Sequence, residues 1–284
     1  MDNKIKKIRL DVYLTENGFF PAREKARVAI MEGNVFVNNQ KEDKPGTMIK
    51  GDANVEYRGE KLKYVSRGGL KLEKAAEVFN IDLNDKTCID IGSSTGGFTD
   101  FMLQNGSKKV FAVDCGTNQL DYKLRTDERV VTMENTNARY LTREDIGDDA
   151  IDFISVDVSF ISLKKILPVI KELLKESGES VLLIKPQFEA GKELVEKNGV
   201  VRNSIIHKEV IKSVIDYCID SGFVILGLDF SPIKGPAGNI EYLLYISKQV
   251  ENRNASDIGF ELSKINEYIN NVVKESHDTL DKEA

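Results

Sequence analysis

From residue 86 onward, seven short apolar runs recur with helix-patterned segments or tight turns between them: KTCIDI (86–91), KKVFAVD (108–114), RVVTM (129–133), IDFISVD (151–157), ESVLLIK (179–185), GFVILGLDF (222–230) and IEYLLYIS (240–247). Most are nearly all apolar rather than alternating, which is the pattern of strands buried on both faces. The helix patterns between them, clearest after Thr95, over 163–174 and over 205–221, supply the crossovers that parallel strands require. The expected fold is therefore α/β: a seven-stranded Rossmann-like sheet covered by helices on both sides. Only residues 231–239 separate the last two runs. That is too short for a helical crossover, so the last strand is expected to be antiparallel.

The first sixty residues read differently. Two short amphipathic helices are expected (10–17 and 22–32), the second stopped by Gly33, and the strand-like VFVN (35–38) and a turn at Pro45-Gly46 follow. The chain is thus expected to divide into a small α+β module (1–60), a linker (61–67), a large domain (68–250) that opens with a helix from Gly69 to Phe79, and a charged tail (251–284) in which we see no chemistry. Residues 1–63 hold 13 basic and 10 acidic residues, although the whole chain carries −6, which leaves −9 for the rest. A mildly basic module on an acidic partner suits nucleic-acid work.

Several function classes drop out. The amino terminus lacks the apolar stretch of a signal peptide, and no run approaches a membrane span. Three cysteines without CxxC spacing fit a reducing cytoplasm, and two histidines make a His-rich metal site an unsuitable expectation. We therefore expect a cytoplasmic protein with no metal.

The candidate ligand turn is IDIGSSTGGFTDFML (89–103). In a doubly wound sheet, ligands bind at the carboxyl ends of the strands near the switch point. The dinucleotide fingerprint GxGxxG needs a middle glycine beside the pyrophosphate, and that glycine is absent here. No GK[ST] follows for a nucleoside triphosphate. The spacing Asp90-x-Gly92-x-Ser94-Thr95-Gly96-Gly97 suits a ligand with a nucleoside and an amino-acid arm but no phosphate. Asp114 ends the next strand, where a carboxylate can accept from both ribose hydroxyls. These residues, with Asp157, are the expected site for S-adenosyl-L-methionine.

The methyl acceptor is read from the later strand ends. Neither the [DN]PPY of amino methylation nor a Pro-Cys nucleophile occurs. Instead Asp157 and Lys185 end neighbouring strands, and Lys71 in SRGGLKL and Glu241 in GPAGNIEYLLY interrupt apolar or glycine-rich contexts. Such a set can orient and deprotonate a hydroxyl. A lysine that is partly desolvated near another cation has a lowered pKa and can act as a base.

In the front module, Arg23 and Arg27 share a helix face, Lys25 lies off it, and Lys41 and Lys44 come from the following turn. With Arg9 and Arg67 they are the expected RNA contacts, of the phosphate-positioning kind.

The runs RLDVYL, REKARVAIMEGNVFVN, KPGT, YVSRGGLKL, DIGSSTGGFTD, VDVSFISL, KPQFEAG and GPAGNIEYLLY together resemble the TlyA family, often named hemolysins but understood as adenosylmethionine-dependent ribosomal-RNA ribose methyltransferases. The large domain also resembles the FtsJ type of RNA 2′-O-methyltransferases. The resemblance covers about residues 8–248 and implies a catalytic tetrad at Lys71, Asp157, Lys185 and Glu241. It also implies an alpha-L RNA-binding module at 8–60 and ribosomal RNA or ribosomal subunits as partner. Leu70 and Cys115 depart from the family's usual residues. Two alternatives remain: a membrane-lytic hemolysin, for which no inserting segment is found, and a non-catalytic ribosome-binding factor, against which the intact tetrad argues.

Overall fold

The computed structural model describes residues 7–20, 22–59, 63–248 and 262–281. The chain forms two compact units, Met1–Leu62 and Lys63–Ala284.

The first unit contains β1 (Lys7–Arg9), α1 (Leu10–Glu16), α2 (Arg23–Met31), β2 (Val35–Val37), β3 (Gln40–Glu42), β4 (Met48–Lys50) and β5 (Val55–Tyr57). β1 pairs with β4, and β2 lies between β3 and β5, all antiparallel. Leu10, Leu14, Ala26, Ala29, Ile30, Val35, Ile49 and Val55 make a core of their own. The chain leaves α2 through Gly33 at φ +72°, a conformation that suits glycine at a helix end.

The second unit opens with α3 (Gly69–Phe79) and continues β6 (Thr87–Ile91), α4 (Gly97–Gln104), β7 (Lys109–Val113), α5 (Tyr122–Arg125), β8 (Val130–Met133), α6 (Arg143–Ile146), β9 (Ile151–Val156), α7 (Leu167–Leu173), β10 (Leu174–Ile184), α8 (Pro186–Glu189), α9 (Ser204–Asp220), β11 (Val224–Phe230), β12 (Tyr242–Ser247) and α10 (Ile265–Leu280). Residues 63–67, expected as part of a linker, lie within this unit: Tyr64 packs edge-on against Phe101, and the Val65 amide donates to Asp100.

The sheet order is β11-β12-β10-β9-β6-β7-β8. β12 runs antiparallel to both neighbours, while β10, β9, β6, β7 and β8 are parallel. The seven-stranded sheet with an antiparallel last strand is thus observed as the apolar runs implied. Burial on both faces is visible in the strict alternation: Phe153, Leu183 and Leu243 pack on the face of α3 and α4, whereas Ile154, Leu182 and Leu244 pack on the face of α7, α9 and α10.

Two bounds differ from the sequence reading. The helix expected over 163–174 is a 3-10 turn (Leu163–Lys165) followed by α7, whose second residue is Pro168. The lost N–H costs nothing in a first turn. The strand expected from residue 179 starts at Leu174, across a register shift between Leu174 and Glu179. β6 sits between β9 and β7, so the loops leaving β6 and β9 diverge at the switch point, and the crevice between them is the site expected by topology.

Candidate active site

Four elements deliver four charged side chains to this crevice. Lys71 stands in the first turn of α3 on its buried side, Asp157 follows β9, Lys185 follows β10, and Glu241 immediately precedes β12. The Asp157 amide still donates to the Ile91 carbonyl, which locks that strand end to β6. Lys71 Nζ lies 2.6 Å from Glu241 Oε2 and 3.6 Å from Asp157 Oδ2. Lys185 Nζ lies 2.5 Å from Asp157 Oδ1 and donates to Ser159 Oγ at 3.0 Å. Asp157 is therefore the shared member, flanked by a lysine on each oxygen. It is also the most open of the four, its side chain 20% exposed.

A cation in the first turn of a helix opposes the helix dipole, and burial also disfavours the charge of Lys71. The Asp157 and Glu241 carboxylates outweigh both, and Lys71 is held above the ordinary lysine value. Its two carboxylate neighbours thus keep Lys71 a cation. Burial pushes the Glu241 carboxyl up, and the Lys71 ammonium draws it part of the way back. We read the pair as an ion pair, because Asp157 adds a second negative partner for the same ammonium.

Two clefts of about 550 and 530 Å³ meet at Gly92, Ser94 and Asp157. The first is walled by Ser66, Arg67, Lys71 and the 233–238 loop, the second by Asp114, Cys115, Asn137, Ser159 and Phe160. Gly92 has φ +85°, and a Cβ there would stand 2.3 Å from the Asp157 carbonyl oxygen. At Gly96 (φ +95°) it would stand 2.2 Å from Leu124 Cδ1. The glycines thus permit protein-to-protein approaches that shape the clefts, where the sequence suggested only room for a ligand. Gly97 opens α4, where a Cβ would meet Ser66 Oγ at 2.4 Å.

Asp114 accepts the Ser94 amide at 2.9 Å and the Gly116 amide at 2.7 Å, one on each oxygen. A carboxylate has about four acceptor positions, so capacity remains for a diol. Asp90 is turned inward: it accepts Thr99 N and Oγ1 and Ser155 Oγ, and its burial pushes it up to about 7. Its visible work is to hold the start of α4 to β6. Ser94 and Thr95 are exposed at the turn, and the Thr95 carbonyl accepts the Asp121 amide.

Of the seven expected RNA contacts, Arg67 lines the first cleft and is exposed. Arg9 and Arg23 both clamp the buried Asp11, each at 2.9 Å, while their side chains as a whole stay about half exposed. Arg27 pairs with Glu24 at 3.5 Å. The Lys41 stem crosses Gly33, Lys44 is exposed beside Pro45, and Lys25 is exposed on α2.

Sequence reasoning passed over Ser159, Phe160 and the 233–238 wall. Phe160 is 91% exposed at φ +63°, with its ring 4.9 Å from that of Phe188. An aromatic three residues after a strand-end acid was the one available signal. Gly235 could have been suspected from its GPAG context: a Cβ there would stand 2.5 Å from Glu241 Oε1.

This strand order, with a glycine turn after β6 and an acid ending β7, defines the class of Rossmann-like methyltransferases. The FtsJ-like methyltransferase family profile matches residues 64–248, and the S4 domain profile matches residues 8–55. The Mycobacterium tuberculosis protein named 16S/23S rRNA (cytidine-2′-O)-methyltransferase TlyA is 37% identical over 87% of this chain and 92% of its own length. Hemolysin A of Brachyspira hyodysenteriae is 46% identical over 84% and 99%. A solved structure from Streptococcus thermophilus, which carries a hemolysin name, is 47% identical with a TM-score of 0.74 over 98% of both chains. The chain belongs to the TlyA family of FtsJ-like methyltransferases. Among the described residues no helix is long and apolar enough to cross a membrane.

Proposed function

We propose that the protein is an S-adenosyl-L-methionine-dependent ribose 2′-O-methyltransferase acting on ribosomal RNA within ribosomal subunits. The observation that carries this reading is the Lys71–Glu241 and Lys185–Asp157 pairing at the switch point, built from four separate elements. The rRNA 2′-O-methyltransferase names of the relatives support it. S-adenosylmethionine, when bound, supplies a methyl group on a good leaving group. The paired clefts fit such an elongated molecule: Asp114 has free acceptors for a ribose diol on one side, and between them Gly92, Gly96 and Gly97 let the turn pack closely on Asp157, Leu124 and Ser66.

A ribose hydroxyl is a weak nucleophile until its proton is drawn away, so the residues must align it and take that proton. Lys185 would take up the O2′ proton as the hydroxyl is methylated. Asp157 orients Lys185, and Ser159 gives it a second anchor. Lys71, held charged by Glu241, steadies the hydroxyl oxygen as negative charge develops on it. In the front module, Arg9, Arg23, Lys25, Arg27, Lys41 and Lys44, with Arg67 at the cleft, contact RNA phosphates.

Incubation with isolated subunits and labelled S-adenosylmethionine, followed by alkaline hydrolysis, tests the proposal. A 2′-O-methyl removes the internal nucleophile and blocks cleavage at one position. Label that leaves the hydrolysis ladder unbroken means another atom is methylated. Absence of label from every subunit returns the chain to a non-catalytic role.

A further inference from the structure

The second cleft reaches the loop between β7 and α5, where Asp114, Cys115 and Gln119 line it. The loop turns back through Asn118 in the left-handed region, at φ +55°, a conformation that asparagine tolerates better than most residues. Three successive amides then point to one acceptor, Glu134, the residue after β8. Glu134 Oε2 accepts the Asn118 amide at 2.8 Å. Its Oε1 accepts the Gln119 and Leu120 amides at 2.8 and 3.1 Å and Arg125 Nη2 at 2.7 Å. Successive amides turned to one side make an anion-binding concavity, and here the chain fills it with its own carboxylate.

A carboxylate has about four acceptor positions, and four donors occupy those of Glu134. None remains for a ligand, although the residue stands at a strand end near the cleft. Burial would raise Glu134, but the Leu120 amide, Arg125 and the Asn118 and Gln119 amides hold it down at about 2. It stays an anion, and its effect on the cleft passes through the loop.

That effect arrives at Gln119. The Gln119 backbone is tied to Glu134, and the side chain folds back over Gly116. A Cβ at Gly116 would stand 2.0 Å from Gln119 Nε2 and 3.1 Å from Asp114 Oδ1. The exposed side-chain amide thus lies beside the Asp114 carboxylate, and among the described residues it has no hydrogen-bond partner.

The two side chains are complementary in the way a ribose diol demands. Each hydroxyl carries one hydrogen and two lone pairs. A carboxylate takes hydrogens and gives none, whereas an amide nitrogen gives two. We propose that Gln119 is a cofactor-binding residue: its Nε2–H donates to a ribose hydroxyl whose hydrogen Asp114 accepts, and Glu134 is the positioning residue that holds it there. The inference rests on the adenosylmethionine reading of the clefts.

Calorimetry with S-adenosylhomocysteine and its 2′-deoxy and 3′-deoxy analogues tests the contact without requiring turnover. Gln119→Ala is expected to weaken S-adenosylhomocysteine roughly 3–10-fold, the scale of one neutral hydrogen bond. For the analogue that lacks the contacted hydroxyl, the same substitution should change nothing. Equal losses for all three ligands, or no loss for any, overturn the proposal. Glu134→Gln replaces one accepting oxygen by a donor facing the loop amides. It is expected to speed amide exchange at 118–120 in the ligand-free chain and to weaken S-adenosylhomocysteine by a similar factor. Added to Gln119→Ala it should weaken binding little further, because both act through one contact; losses that multiply overturn the positioning role. A wild-type chain that binds none of the three ligands fails the adenosylmethionine reading and takes the contact with it. Tight wild-type binding with an indifferent Gln119→Ala overturns the contact alone.

Discussion

Lys71 and Glu241, 170 residues apart in sequence, meet at 2.6 Å with 8% and 1% of their side chains exposed. Removing one member of a buried pair strands the other charge, and the usual cost is about 3–5 kcal/mol. Lys71→Ala is therefore expected to lower stability by roughly that much, discounted by what Lys185 supplies to Glu241. The double variant Lys71→Ala/Glu241→Gln should recover most of the stability and none of the activity. Denaturant titration of the three proteins checks this; a double variant no better than the single one would show that the pair does not act as a unit.

Lys185→Ala is expected to slow methylation by about 10²-fold or more, the scale of general-base loss, while cofactor affinity survives. Lys185→Arg should be nearly as damaging, because a guanidinium stays protonated. Single-turnover rates beside cofactor binding give the answer. An active Lys185→Arg enzyme would mean that the residue serves only as a fixed positive charge.

Gly92→Ala introduces a methyl 2.3 Å from the Asp157 carbonyl in a left-handed backbone conformation. The backbone alone costs about 1–2 kcal/mol, and β9 must shift as well. The expected outcome is a lower Tm together with loss of S-adenosylmethionine binding, read by calorimetry. Unchanged affinity would show that the Asp157 strand end is not part of the cofactor site.

Removing residues 1–60 takes away a unit with its own core. Cofactor affinity is expected to stay nearly intact while subunit binding weakens and its salt dependence becomes shallower, since the lost contacts are to phosphates. Full-rate methylation by the truncated chain would dismiss the front module as the RNA anchor.

Asp11 is held down at about 2 by hydrogen bonds from Arg9 and then Arg23, against the opposing effect of burial. Its folded value lies below its unfolded one, so its contribution is complete above about pH 4 and is lost as pH falls toward 2. Asp11→Asn should therefore be less stable than wild type at neutral pH, and the gap should close in acid. Thermal melts across that range measure the difference directly, and a gap independent of pH would show that charge is not the source.

The period of the apolar runs was enough to determine the second unit's sheet, including the antiparallel last strand, because a buried strand writes its burial into consecutive residues. The glycine turn and the identities of Lys71, Asp157, Lys185 and Glu241 were likewise legible, since charged residues in apolar contexts stand out locally. What the sequence could not supply was pairing. That Asp157 would be flanked by both lysines, that Gly92 would admit a backbone carbonyl rather than a ligand, and that Arg9 and Arg23 would converge on Asp11 are distances between residues far apart in the chain. The same holds for His207 and His277, 70 positions apart and unremarkable singly. Local patterns report what each residue needs, burial or charge compensation, but which neighbour meets that need is settled only when the sheet order and the helix packing bring the two together.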